Sequence, residues 1–274
     1  MKDYCGYREI LLDNKSLAEY YEGKLDLPIL ENEYLAIYDQ ERRLVELLVR
    51  RGSCTTQTRY KNLKPAYFEE IKPRNTQQKM AMNMLQNEEI KVKLLTGVYG
   101  SGKDYLMLAH ALNLINKGHF DKLIYIRNNI EVKDTAPLGA LPGGMEDKLF
   151  YLSGPLIDHM GGMEGYRRLM EERKLEILHL GFLRGRDLRN SIIYCTEAEN
   201  LTKEHIQLLL GRVGEGSQLW LNGDCRQRDR TIFERSAGLE CLVNGLKGHH
   251  LFGYVNMPIT ERSEVARLAD LLDQ

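Results

Sequence analysis

Lys103 and Asp104 stand at the end of a glycine-rich turn, in the stretch Lys91 to Leu108 that reads KVKLLTGVYGSGKDYLML. Gly97, Gly102 and Lys103 have the spacing G-x-x-x-x-G-K, with Gly100 and Ser101 between them. Such a turn wraps closely around a phosphate and gathers N–H donors at a helix N-terminus, whose dipole favours negative charge. Lys103 adds a point charge for the outer phosphates of a nucleotide. The next residue is ordinarily Ser or Thr, which offers a hydroxyl to Mg²⁺. Here it is Asp104.

Chemistry on a nucleoside triphosphate needs a second element at the end of a neighbouring strand. That element supplies an acidic residue for the metal and a Glu that orients the attacking water. TEAEN, Thr196 to Asn200, follows the apolar run SIIYC and takes that place. Glu197 occupies the position of the water-polarising base, and Thr196 stands where an Asp is expected. The two departures are reciprocal: a hydroxyl has become a carboxylate at Asp104, and a carboxylate has become a hydroxyl at Thr196. If both face one Mg²⁺, the formal charge of the site is preserved, and a carboxylate is a good ligand for that ion. Asp104 would repel the β-phosphate unless the metal lay between them. A degenerate site that keeps the fold and has lost most hydrolysis is the alternative.

Further candidates are weaker. Asp224 and Gln227, in NGDCRQRD, follow a strand where a γ-phosphate sensor commonly sits, although Gly-Asp after a strand is also an ordinary turn. Arg184, Arg186 and Arg262 suit phosphate or RNA, since a guanidinium fork matches both, or are solvated surface residues. His249 and His250 lack a third ligand at metal spacing.

The elements that must position these residues alternate along the chain. A helix over Gln77 to Leu85, capped by Asn75 or Thr76, leads to a strand over Lys91 to Thr96 and a helix over Asp104 to Asn116. Strands follow at Lys122 to Arg127, Glu176 to Leu180, Ser191 to Thr196, Ser217 to Asn222 and His250 to Tyr254. A helix capped by Thr202 covers Lys203 to Val213, and another covers Ser263 to Leu272. Asn128 to Arg173, rich in Gly and Pro, is too long for a simple connection. The alternation predicts an α/β protein with a mostly parallel sheet flanked by helices over residues 71–274. Residues 1–70 read as a small N-terminal accessory region in which Glu33 to Tyr38 and Leu44 to Val49 form short strands, or a strand and a helix.

The 38 Lys+Arg against 39 Asp+Glu leave a formal charge of −1, so a nucleic-acid partner must be met by a local basic patch. Five scattered cysteines without a C-x-x-C pair read as reduced thiols. The N-terminus lacks the apolar region of a signal peptide, and no window approaches a membrane span. The expectation is a soluble, cytoplasmic protein with no membrane attachment.

The ordered set PRNTQQ, TGVYGSGKD, YIRNNIEV, GALPGGMEDKL, FLRGRDL, TEAEN, NGDCRQRD and TERS resembles the PhoH family of P-loop ATPases over residues 71–274. The resemblance implies a RecA-like core related to superfamily 1 helicases, ATP binding and assembly into a hexameric ring. For relatives fused to a PIN nuclease domain it implies a link to RNA unwinding or turnover. No acidic cluster of such a nuclease is recognisable in the first 70 residues. By position, Gln77 resembles an adenine-reading glutamine, with Asn75 beside it. Gly97, Gly100, Gly102 and Lys103 match the phosphate loop, Glu197 the catalytic glutamate, and Asp224 and Gln227 the sensor. Arg262 matches an arginine that reaches the γ-phosphate. The family usually has Ser or Thr at Asp104, Asp at Thr196, Gln at Glu199 and Pro at Asn128. The function implied is a Mg²⁺-dependent ATPase, coupled to single-stranded RNA. Its rivals are a non-catalytic nucleotide-sensing ring and, against the PhoH-like insertion, a small-molecule kinase.

Overall fold

The computed structural model describes residues 4–65, 69–127, 154–224 and 238–261. Gln227, Arg262, the helix expected over Ser263 to Leu272 and most of the Gly/Pro-rich insertion lie outside those residues.

Two sheets organise the described residues. The first is four-stranded: β1 (Tyr7–Leu11), β2 (Tyr34–Tyr38), β3 (Leu44–Arg51) and β4 (Cys54–Gln57), in that order, with α1 (Asn14–Tyr21) after β1. β1 pairs with β2 in parallel, and the other two pairings are antiparallel. EYLAIY and LVELLV are therefore both strands. β4 is exposed at every position, which is why no hydrophobic pattern announced it.

The second sheet contains β5 (Val92–Gly97), β6 (Lys122–Arg127), β7 (Leu175–His179), β8 (Ser191–Thr196), β9 (Gln218–Gly223) and β10 (Phe252–Met257). Their order is β10-β5-β9-β8-β6-β7, and every pairing is parallel. α2 (Thr76–Gln86) leads into β5; parallel strands need crossover connections, and these carry α3 (Lys103–Asn116), α4 (Gly154–His159), α5 (Gly162–Glu171), α6 (Lys203–Leu210) and α7 (Gly238–Leu246).

Burial on both faces explains why β5, β8 and β9 are apolar runs rather than alternating ones. Leu95, Tyr194 and Trp220 pack with Met80 and Met84 of α2 and Leu108 and Leu112 of α3. Leu94, Ile193 and Leu221 pack on the other face with Ile206 and Leu209 of α6 and Leu239 and Leu242 of α7. Tyr34, Ala36 and Val49 of the first sheet join the α2 side of that core. Asn32 fixes the junction: its Nδ2 donates to the carbonyls of His250 and Phe252, both at 2.9 Å.

Most sequence-based boundaries lie within a residue or two of the observed ones, and larger differences occur at α6, β10 and α7. α6 stops at Leu210 because Gly211 caps it, its N–H donating to Gln207 O at 3.0 Å. His250 lies in a turn stacked on His249, so β10 begins at Phe252 and runs on to Met257, opposite Gly97. α7 is a helix absent from the sequence-based alternation, although Leu239, Leu242, Val243 and Leu246 have helical spacing.

Candidate active site

β5 delivers the chain to the glycine-rich turn, and register with β10 dictates the first glycine. Gly97 lies opposite Met257 with φ 140°, and a Cβ there would sit 2.1 Å from the Met257 carbonyl oxygen. Gly100 and Gly102 have φ 76° and 88°, in the left-handed region that glycine enters without strain. Gly102 is the N-cap of α3, so the turn ends with its amides at the start of that helix. Lys103 Nζ donates to the carbonyls of Gly97 at 2.8 Å and Val98 at 2.9 Å, which places the ammonium over the turn. Ser101 is fully buried and its hydroxyl has no hydrogen-bond partner. An orphaned buried hydroxyl in a left-handed glycine turn fits an anion cradle.

The turn borders a cavity of about 520 Å³ whose lining includes Arg74, Gln78, Tyr99, Lys103, Asp104 and Glu261. Glu261 N donates to Gly100 O at 3.0 Å, and Thr260 Oγ1 to Tyr99 O at 3.0 Å, so the segment after β10 lies on the turn. Asn75 caps α2 by accepting from Gln78 N at 2.8 Å and donates to Glu261 Oε1 at 2.6 Å. Of the two glutamines that follow, Gln78 faces the turn: its amide donates to Ser101 O at 3.1 Å and its carbonyl accepts from Arg74 N at 2.8 Å. The Gln77 amide donates instead to Glu9 Oε1 of β1, at 2.8 Å.

Asp104 points across the sheet ends. Its Oδ1 accepts from Tyr194 Oη at 2.5 Å, Asn222 Nδ2 at 2.7 Å and Thr196 Oγ1 at 3.3 Å. Thr196 Oγ1 also lies 3.0 Å from Asn222 Oδ1, so its one proton is shared between these two acceptors. The strand order makes this cluster: β8 and β9 are neighbours, and Tyr194 and Thr196 are two apart, on one face of β8. Tyr194 and Asn222 escaped the sequence reading because each looks like strand core; the signal was the period-two match between Tyr194 and Thr196. Burial, then the Asp104 charge, raises the Tyr194 phenol well above its ordinary range, so it remains a donor.

Glu197 follows directly and adopts a left-handed backbone, φ 54°. Its carboxylate is paired with Arg127, the last residue of β6. Burial opposes the guanidinium charge, but the hydrogen bond and charge of Glu197, with Asp104 further off, outweigh it and raise the Arg127 pKa. Glu199 accepts from Asp224 N at 3.1 Å and is pushed up to about 8, by burial first and by the Glu197 and Asp224 charges after it. Asp224 is buried at the end of β9. Arg186 pairs with Glu176 at 2.8 Å, on the β7 side of the sheet. No group of three His, Cys, Asp or Glu side chains with metal-binding geometry occurs among the described residues. The described cysteines, Cys5, Cys54, Cys195 and Cys241, are free thiols, and no described helix is long and apolar enough to cross a membrane.

An all-parallel sheet with helices on both faces, and a glycine turn opening a helix at the end of an inner strand, defines a RecA-like P-loop core. Sequence comparison agrees and narrows it. The family model described as PhoH-like protein matches residues 70–268, and the chain belongs to that family of nucleotide-binding P-loop proteins. It is 31% identical over 288 residues to Protein PhoH2 of Bacillus subtilis (strain 168), covering 98% of this chain and 64% of that protein. It is 28% identical to Protein PhoH2 of Mycolicibacterium smegmatis, over 72% of this chain and 46% of the relative. The PhoH-like protein of Bacillus subtilis is 29% identical, over 65% of this chain and 57% of the relative. The chain thus spans about half to two thirds of the length of these relatives.

Proposed function

We propose that this chain is a Mg²⁺-dependent ATPase whose cycle is coupled to single-stranded RNA, working in the cytoplasm as a homo-oligomeric, hexameric ring. The observation that carries the reading is the meeting of Asp104 and Thr196, at 3.3 Å, beside Glu197. Lys103 and the amides of residues 100 to 104 bind the β- and γ-phosphates, with the Ser101 hydroxyl as a further donor. Asp104 and Thr196 are the residues that would hold Mg²⁺, which when bound offsets phosphate charge. The three donors to Asp104 Oδ1 fix that carboxylate and leave its second oxygen for the ion. Glu197 orients the attacking water and takes its proton. Asp224 and Gln227 sense the γ-phosphate, and Arg262 adds a cation there. Gln78 supports the phosphate turn through its bond to Ser101 O, whereas Gln77, the residue expected to read adenine, is bonded to Glu9.

A second reading, a nucleotide-sensing ring without turnover, draws on the ion pair that ties Glu197 to Arg127. Phosphate release from ATP, with Mg²⁺ or Mn²⁺ and with or without single-stranded RNA, separates the two. Release that falls by ~10²-fold in Glu197→Gln supports the ATPase. Release no greater than that of the variant supports the sensor.

A further inference from the structure

The cavity beside the phosphate turn holds more than a phosphate tail. At about 520 Å³ it also takes in residues 69–74, Tyr105 of α3 and His159 of α4. A nucleotide whose phosphates meet Gly100, Gly102 and Lys103 leaves its base to meet these groups. Tyr105 is half-buried there, and its ring stands edge-on to that of His159, with centroids 6.0 Å apart. An aromatic wall of this kind is a stacking surface, and every base has a face to stack on it. Discrimination between bases must therefore come from the polar groups around the ring.

A side-chain amide reads adenine by accepting from one of its N–H groups and donating to a ring nitrogen at the same time. The amides near this end of the cavity are committed elsewhere. Gln78 accepts from Arg74 N and donates to Ser101 O. Asn75 accepts from Gln78 N and donates to Glu261. Gln77 is bonded to Glu9 and to the Tyr7 phenol, and it lies outside the cavity lining.

What the lining offers instead is carboxylates. Glu70 is paired with Lys72 at 2.8 Å, and Glu261 accepts from Asn75 at 2.6 Å. Glu69 makes no hydrogen bond or ion pair among the described residues. It lies within electrostatic reach of the stacking ring: burial first, then the Glu69 charge, raises the Tyr105 phenol pKa, against the pull of Arg74. An ionised carboxylate only accepts, through two oxygens set side by side. Guanine presents N1–H and N2–H side by side, two donors for those two oxygens. Adenine presents N6–H beside the lone pair of N1, so it gives one bond and meets repulsion at the other oxygen.

We propose that the base end of this cavity takes guanine as readily as adenine, with Tyr105 as the stacking face and Glu69 as the specificity-determining acceptor. The substrate class is then purine nucleoside triphosphates, GTP included, rather than ATP alone. This assignment rests on the nucleotide-binding reading of the site and adds to it the base that the site admits. Glu69→Gln changes the reader from two acceptors to one acceptor and one donor, which is the pattern that the adenine edge matches and the guanine edge does not.

The test is displacement of ribose-labelled mant-ADP from the full chain by ATP, GTP, CTP and UTP, each with Mg²⁺. In the wild type GTP is expected to bind within ~3-fold of ATP or more tightly, and both pyrimidines ~10-fold more weakly than either purine. Glu69 is exposed, so Glu69→Gln leaves the fold intact. That variant is expected to bind GTP ~10-fold more weakly and ATP at least as tightly as the wild type does. Tyr105→Ala is expected to weaken both purines ~10-fold, and Tyr105→Phe, which keeps the ring, to weaken neither. ATP binding more than ~3-fold tighter than GTP in the wild type overturns the proposal while leaving the ATPase reading in place. Unchanged GTP affinity in Glu69→Gln, or unchanged purine affinity in Tyr105→Ala, overturns it as well. A chain that binds neither mant-ADP nor ATP overturns both readings at once.

Discussion

Thr196 and Asp104 come from strand and helix ends 92 positions apart, and Thr196 Oγ1 donates to Asp104 Oδ1 at 3.3 Å. The hydroxyl and the carboxylate thus meet where the C-terminal end of β8 approaches the N-terminal end of α3. Tyr194 and Asn222 complete the shell around Asp104. A carboxylate at the start of α3 also meets the positive end of that helix dipole, which favours its charge. Four expectations follow from this site.

Glu199 makes stability depend on pH in an unusual direction for a carboxyl group. Its folded-state pKa, about 8, stands above the ordinary glutamate value of 4.5. The folded chain therefore holds a proton that the unfolded chain releases. The resulting stabilisation is complete below about 4.5 and is lost as pH rises through about 8. Glu199→Gln keeps a neutral, hydrogen-bonding side chain at every pH. Its melting temperature should exceed that of the wild type by an increment that grows from pH 6 to pH 9, on the order of a few degrees. Parallel melting profiles for the two proteins would show that Glu199 titrates normally.

Adjacent glutamines should behave oppositely. Gln78→Ala removes the bond to Ser101 O and leaves the turn less supported, so ATP affinity is expected to fall ~10-fold. Gln77→Ala loses only the link to Glu9, so it should cost ~1 kcal/mol of stability with ATP affinity within ~2-fold. Calorimetric titration and denaturant unfolding on both variants measure this directly; a larger affinity loss in Gln77→Ala would reassign the contact.

Arg127 is expected to act through Glu197. Arg127→Ala removes the ion pair, so the carboxylate is free to turn, and kcat should fall ~10-fold or more while ATP affinity changes little. Arg127→Lys, which keeps a charge but not the fork, should recover part of kcat. A drop in ATP affinity equal to the drop in kcat would mean that Arg127 holds nucleotide instead.

Much of this architecture can be read from the chain, for a physical reason. Strands buried on both faces give uninterrupted apolar runs, so KLIYIR and SIIYCT mark β6 and β8 to the residue. The glycine turn is legible because its backbone angles exclude other residues. What escapes is information carried by orientation. Successive helical residues differ by ~100° in direction, so nothing local says that Gln78 rather than Gln77 faces the turn. Asn222 resembles the end of any buried strand until β8 is known to lie beside β9. β4 has no buried side chain and exists through its pairing with β3. The Asp104–Thr196 exchange lies between: the types and spacing suggest it, and the contact needs the fold.

The exchange is tested most directly by a double-mutant cycle on Mg²⁺-dependent ATP hydrolysis, using Asp104→Thr, Thr196→Asp and the double variant, which restores the usual pair. Asp104→Thr removes the carboxylate of the site, and Thr196→Asp sets two carboxylates against each other across the 3.3 Å contact. Each single variant should lose ~10-fold or more in kcat/KM, and the double variant should regain at least the wild-type rate. Losses that simply add in the double variant would mean that Asp104 and Thr196 do not share a metal.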